Sequence, residues 1–209
     1  MTTSLENTLM SSQPTKLPSL DPLEGISLLR AIRTRRSIRD YRSGDLTWAQ
    51  IGQLAWAAQG ITDHASSLRT APSAGVLFPL ELDVATKDGV FRYQPQSHAV
   101  LKRSAADIRT QLSHAAYGQS WLTNASCIFV IAALLHRIEP TYGIRARRYV
   151  DLEAGHAAQN LLLMAAGLEL GATPVGAFAD DEVARVVGLE THEQPVYLVP
   201  VGWPAGTSA

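Results

Sequence analysis

The sequence predicts an α+β fold in which a central antiparallel or mixed sheet is flanked by helices. Its candidate elements run helix, helix, hairpin, helix, strand, long helix, short helix, strand, and this order does not alternate strictly enough for a doubly wound sheet. With 209 residues, a formal net charge of -1 and 46% hydrophobic residues, the chain suits one compact domain rather than a disordered or fibrous one. The segment from Tyr149 to Leu170 is apolar almost all round, and such a helix needs cover on every side, at a domain centre or against a partner.

The expected organisation is a flexible tail over 1–24, a single domain over 25–204 and a short tail over 205–209. The first residues are polar, with no basic start leading into an apolar stretch, so a secretory signal is not expected and a cytoplasmic, reducing location is. The longest apolar runs, Cys127 to Leu135 and Leu161 to Ala166, fall far short of the roughly 20 residues that span a bilayer. No membrane partner is therefore expected.

Ile26, Leu28, Leu29 and Ile32 recur at helical spacing and run into a basic cluster, Arg30, Arg33, Arg35, Arg36, Arg39 and Arg42, opposed by Asp40. The overall balance argues against nucleic acid, yet the local excess calls for an anionic partner. Thr47 and Gln50 form a capping-box pattern ahead of Ile51, Leu54, Ala55 and Ala58, and Gly60 ends a second helix at about 47–59.

Strands are expected at Glu81 to Thr86, Val90 to Tyr93, Cys127 to Leu134 and Val196 to Val201, with a helix beginning near Ser104. The lone Cys127 lies in an apolar run and reads as a small buried hydrophobe. Asp180, Asp181 and Glu182 open a short helix, where acids suit the positive end of the helix dipole.

The dinucleotide, Walker A, nucleophile-elbow and zincin signatures are absent from the sequence. Glu153 and His156 form one E-x-x-H pattern without the second copy a di-iron centre requires, so no metal is expected. His64, His98, His114, His136 and His192 are scattered without ligand spacing.

Three segments could carry a ligand. Arg33 to Arg39 offers several guanidinium forks and the Ser37 hydroxyl, hardware for a phosphate, although the same residues also suit a solvated helix C-terminus. Pro72-Ser73-Ala74-Gly75 has small side chains that let a flat ligand approach the backbone, and Gly171 to Phe178 repeats that chemistry.

Taken in order, Arg35-Arg36-Ser37-Ile38-Arg39-Asp40-Tyr41, Pro72-Ser73-Ala74-Gly75, Leu152 to Leu161, Pro174-Val175-Gly176-Ala177-Phe178 and Val201-Gly202 resemble the nitroreductase superfamily, most nearly its SagB-type dehydrogenase branch. The resemblance implies an α+β fold, an intertwined homodimer, and FMN bound non-covalently between protomers. By it, Arg35, Arg36 and Ser37 would hold the FMN phosphate and ribityl chain, and Arg39 the pyrimidine edge. Pro72, Ser73, Ala74 and Gly75 would approach the flavin ring from the partner protomer, and Pro174, Val175 and Gly176 would lie along its other side.

This chain departs from that pattern twice. Thr141-Tyr142 stands where the branch carries a Lys-Tyr pair, leaving Tyr142 as the candidate proton-handling group. Val201-Gly202-Trp203-Pro204 stands where similar proteins read Val-Gly-Arg-Pro, removing a cation. The implied activity is a two-step reductase, with NADH or NADPH (NAD(P)H) reducing FMN and reduced FMN passing hydride to a nitroaromatic or quinone. The alternatives are an FMN-dependent oxidase or dehydrogenase acting on peptide azolines, and a flavin-binding scaffold dimer that has lost turnover.

Overall fold

Helix formation begins where the sequence places its caps. The Thr47 side chain accepts from the Gln50 backbone N–H while the Gln50 side chain accepts from the Thr47 backbone N–H, which satisfies two otherwise orphaned donors. The computed structural model describes residues 13–20 and 26–206. In chain order these form β1 (Thr15–Lys16), α1 (Leu28–Thr34), β2 (Tyr41–Arg42), α2 (Trp48–Gln59), β3 (Ile61–Asp63) and β4 (Leu68–Arg69). There follow β5 (Leu80–Thr86), β6 (Gly89–Gln94), β7 (Ala99–Ser104), α3 (Arg109–Ala115), β8 (Cys127–Ala133) and α4 (Glu139–Tyr142). The chain then forms α5 (Ala146–Gly167), β9 (Gly171–Ala172), α6 (Asp180–Val187) and β10 (Gln194–Pro204).

The main sheet has the order β1-β7-β6-β5-β8-β10-β2, with β9 also pairing β10, and every pairing of named strands in it is antiparallel. Every residue of β8 is buried, because both faces of this central strand are covered. Cys127, Phe129 and Ile131 join a core with α2 and α5, whereas Ile128 and Val130 join a second core with α3 and α6. Burial pushes the Cys127 thiol up to about 12, so it stays protonated and packs as an apolar group. The α+β reading therefore holds, with helices on both faces.

The strand β5 also carries an ionic cluster into the interior. Arg92 Nε and Nη2 donate to the two Asp83 carboxylate oxygens at 2.9 and 2.7 Å, and its Nη1 donates to Glu193 Oε1 at 2.6 Å. Burial raises the Asp83 pKa against the opposing pull of Arg92. Burial also pushes on Glu193, but there the Arg92 contacts win and hold the acid below its ordinary value. The cluster ties β5 and β6 to the turn that leads into β10.

Three expectations need correction. No helix begins near Ser104: Ala99–Ser104 is β7, paired with β6 on one side and β1 on the other, and the helix starts at Arg109, whose backbone N–H donates to Asp107 Oδ1. The long helix starts three residues before Tyr149, at Ala146, and ends at Gly167, with one flank open: Leu152 is 51% exposed, and His156 and Gln159 are exposed beside it. Within the stretch read as a tail, Thr15 and Lys16 pair with β7 and Leu17 is buried, so residues 13–20 include an edge strand. The remainder of 1–24 lies outside the described residues, apart from 13–20. Among the described residues, no helix is long and apolar enough to cross a membrane.

Candidate functional site

Helix α1 is started by the Ser27 side chain, which accepts from the Arg30 backbone N–H, and it ends when Arg35 turns extended. The next residues run alongside β9. Ile38 N–H donates to Ala172 O at 3.2 Å, Ser37 bridges Ala172, and the Thr173 hydroxyl donates to Ile38 O at 2.6 Å. The Tyr41 hydroxyl donates to Ile38 O at 2.6 Å from the other side. A β-carbon on Gly171 would lie 2.7 Å from Ile38 Cγ2, so glycine is what permits this close approach.

This stitching builds a cavity of about 640 Å³, whose charged lining is Arg30, Arg35, Arg36 and Arg42 against Glu169. Its apolar lining includes Ile38, Leu162, Ala166 and Trp203. Arg36 is held in place, its Nη1 donating to Arg33 O at 3.1 Å and Arg35 O at 2.8 Å, where basic groups suit the exposed carbonyls of a helix end. Arg39 turns elsewhere, its guanidinium carbon 5.7 Å from the Trp121 ring centroid.

Pro174, Val175 and Gly176 follow directly from β9. Val175 exchanges backbone hydrogen bonds with Leu198 of β10 and is buried, which leaves Gly176 and Ala177 at the surface. Two side chains missed by the sequence reading hold this loop: Gln119 Nε2 donates to Ala177 O at 3.1 Å, and the Tyr117 hydroxyl donates to Phe178 O at 3.1 Å. Trp121 was likewise missed, and Arg42, though read as part of the basic cluster, was given no place in the site. No local pattern marks Gln119, Tyr117 or Trp121, because each acts on a segment remote in sequence.

Pro72, Ser73, Ala74 and Gly75 lie in a second place. The loop is conformationally forced: Gly75, Val76 and Phe78 have φ of 61°, 58° and 47°, and a β-branched valine in the left-handed region is costly. The Ser73 hydroxyl oxygen accepts from Phe78 N–H at 2.9 Å and closes the turn. Arg69 stacks on Phe78, 4.5 Å to the ring centroid, and donates to Gln59 Oε1 at 2.6 Å. Tyr142 packs against Gly75 and, edge to face, against Tyr149 at 4.8 Å.

Beneath that loop lies Glu153 of α5, 2% exposed, with neither carboxylate oxygen in hydrogen-bond geometry with any described group. Burial raises its pKa to about 7; Ser73, beside it but out of alignment, and Arg69 pull the other way. His156 is exposed, so the E-x-x-H pair does not converge. Among the described residues, no group of three His, Cys, Asp or Glu side chains is placed to hold a metal.

The two places sit at different levels of one helix. The loop meets α5 at Glu153, whereas the arginine cavity borders Leu162 and Ala166, roughly 14 Å further along at 1.5 Å per residue. Within one chain they do not form a single site.

Residues 32–203 match the family described as the Nitroreductase family. A candidate nitroreductase of Methanocaldococcus jannaschii is 38% identical over 189 residues, which are 88% of this chain and 94% of that protein. The crystal structure of a candidate nitroreductase from Ralstonia eutropha superposes with a TM-score of 0.85 at 28% identity, covering 94% of this chain and 92% of the other. The Escherichia coli microcin synthetase McbBCD complex, with truncated pro-MccB17 bound, shares the fold alone, with a TM-score of 0.71 at 20% identity over 92% of this chain and 78% of that one. On the family match and the 38% identity, this chain belongs to the Nitroreductase family and is an oxidoreductase of that kind.

Proposed function

We propose that the chain is an FMN-dependent reductase that works as a homodimer and uses NADH or NADPH to reduce small electrophiles of the nitroaromatic or quinone type. The observation that carries this reading is the cavity of about 640 Å³ with four guanidinium groups on its wall. That volume is within the roughly 300–1,000 Å³ of small-molecule pockets, and its donor set suits a phosphate bearing a ribityl chain. Arg35, Arg36 and Ser37 would hold the phosphate end, and Arg39, anchored on Trp121, would face the pyrimidine edge. Bound there, FMN would supply the redox chemistry, taking two electrons from the nicotinamide and passing them to the acceptor.

The residues around that position orient and exclude water. Gln119 and Tyr117 fix the Pro174 to Phe178 loop, in which Gly176 and Ala177 are exposed. Pro72 to Gly75 would close the same site from the partner protomer. Support for a dimer comes from α1, where Leu28, Leu29 and Ile32 are 66, 76 and 56% exposed, and from the open flank of α5. An antiparallel pairing of the two α5 helices would set the Glu153 level of one beside the Leu162 level of the other.

The test is an absorbance spectrum of the purified protein supplied with FMN, followed by anaerobic addition of NADH and then NADPH. Bleaching of the flavin band by either is the expected result. A protein that takes up no FMN would overturn the reading. A second reading, an oxidase of peptide azolines in the SagB manner, is favoured by the Tyr142 hydroxyl set against Gly75 in the loop. FMN that is bound but bleached by neither nicotinamide would select it.

A further inference from the structure

The C-terminal motif carries Trp203 where the family resemblance implies an arginine, and the structure places the tryptophan against a cation of its own. Trp203 lies on β10 directly across from Arg42 of β2 in the antiparallel register. The Arg42 guanidinium carbon stands 4.9 Å from the indole centroid, and both side chains line the arginine cavity.

The indole is fixed independently of Arg42. Its Nε1–H donates to Asp45 O at 3.3 Å. A β-carbon on Gly44 would lie 2.7 Å from Trp203 Cδ1, so the ring lies against backbone that only glycine leaves open. Among the described residues the Arg42 side chain makes no ion pair or hydrogen bond, and it rests over the indole ring. A guanidinium held over a ring and without other partners keeps its N–H donors free, and these can recognise phosphate oxygens bidentately. Arg36 differs, since its Nη1 already serves two carbonyls.

We propose that Arg42, held over the Trp203 ring, supplies the phosphate-binding cation that position 203 itself lacks, so that the charge is delivered from the facing strand. This rests on the FMN reading above. It assigns Trp203 as a positioning residue and Arg42 as a ligand contact.

The experiment measures Kd for FMN and for riboflavin with the apoprotein, by quenching of flavin fluorescence, for the wild type and four variants. Arg42→Ala is expected to weaken FMN by about tenfold or more, the equivalent of one charge-assisted hydrogen bond, while leaving riboflavin unchanged. Trp203→Phe is expected to retain most of the FMN affinity and Trp203→Ala to lose part of it. The double variant Arg42→Ala with Trp203→Arg is expected to recover it by returning the charge to the other strand. An unchanged FMN-to-riboflavin ratio in Arg42→Ala overturns this assignment while the FMN reading stands. A wild type that binds neither flavin overturns both.

Discussion

The Tyr142 hydroxyl lies 2.9 Å from the point a β-carbon on Gly75 would occupy, and Gly75 has a left-handed φ of 61°. The loop Pro72 to Phe78 and the segment before α5 are thus fitted to one another through a residue without a side chain. Gly75→Ala combines left-handed strain, about 1–2 kcal/mol, with this clash. For a domain of this size a Tm lowered by roughly 3–8 °C is expected in thermal unfolding. Tyr142→Phe in the same background should return the steric part and leave the strain; no recovery would mean that the contact is unimportant.

Glu153 makes stability depend on pH in an unusual direction. Its carboxyl titrates near 4.5 when unfolded and at about 7 when folded, so between these values the native state holds a proton that the unfolded chain has released. Stability from this group is present below about pH 4.5, falls as pH rises through about 7, and is flat above. Between pH 5 and 8 the loss should be on the order of 2 kcal/mol, moderated by Arg69 and solvent. Urea midpoints for the wild type and Glu153→Gln across that range test this, and equal slopes would sink it.

Arg92 faces three acids, Glu81, Asp83 and Glu193, and Asp83 is 0% exposed. Arg92→Ala leaves the buried Asp83 carboxylate with only the longer Arg103 contact at 3.5 Å, at a cost of up to about 3–5 kcal/mol. Guanidinium unfolding should show the loss. Converting Asp83 to Asn in the Arg92→Ala background should restore part of it, because the charge is then gone.

If the exposed face of α1 is a protomer contact, then Leu29→Glu with Ile32→Glu places two charges in a desolvated interface. The expected outcome is a change from dimer to monomer in sedimentation equilibrium at micromolar protein, with far-ultraviolet circular dichroism unchanged. A wild type that is already monomeric would remove the dimer from the proposed function.

Much of the fold was legible because its signals are local. The capping box at Thr47 and Gln50, the acids opening α6 and the apolar run of β8 each act within a few residues, where backbone and side chain compete directly. Ala99–Ser104 escaped because Lys102 and Arg103 interrupt any apolar alternation, and only pairing with β6 and β1 makes this segment a strand. The candidate site followed the same division. Arg35, Arg36, Ser37 and Gly176 belong to short motifs, whereas Gln119, Tyr117 and Trp121 matter only for what they touch in segments remote in sequence, and Arg42 for what it meets across the sheet.

By itself the sequence determined the α+β class, the helix caps, the arginine cluster, and the burial of Cys127. These follow from periodicity, local hydrogen bonding and charge density, none of which needs to know where the chain returns. Tertiary structure alone decided that β10 brings Trp203 across from Arg42, that Glu153 is buried beneath the Ser73 loop, and that this loop stands roughly 14 Å along α5 from the arginine cavity. Those are contacts between distant segments, set by sheet register and helix packing, and a linear pattern carries no record of either.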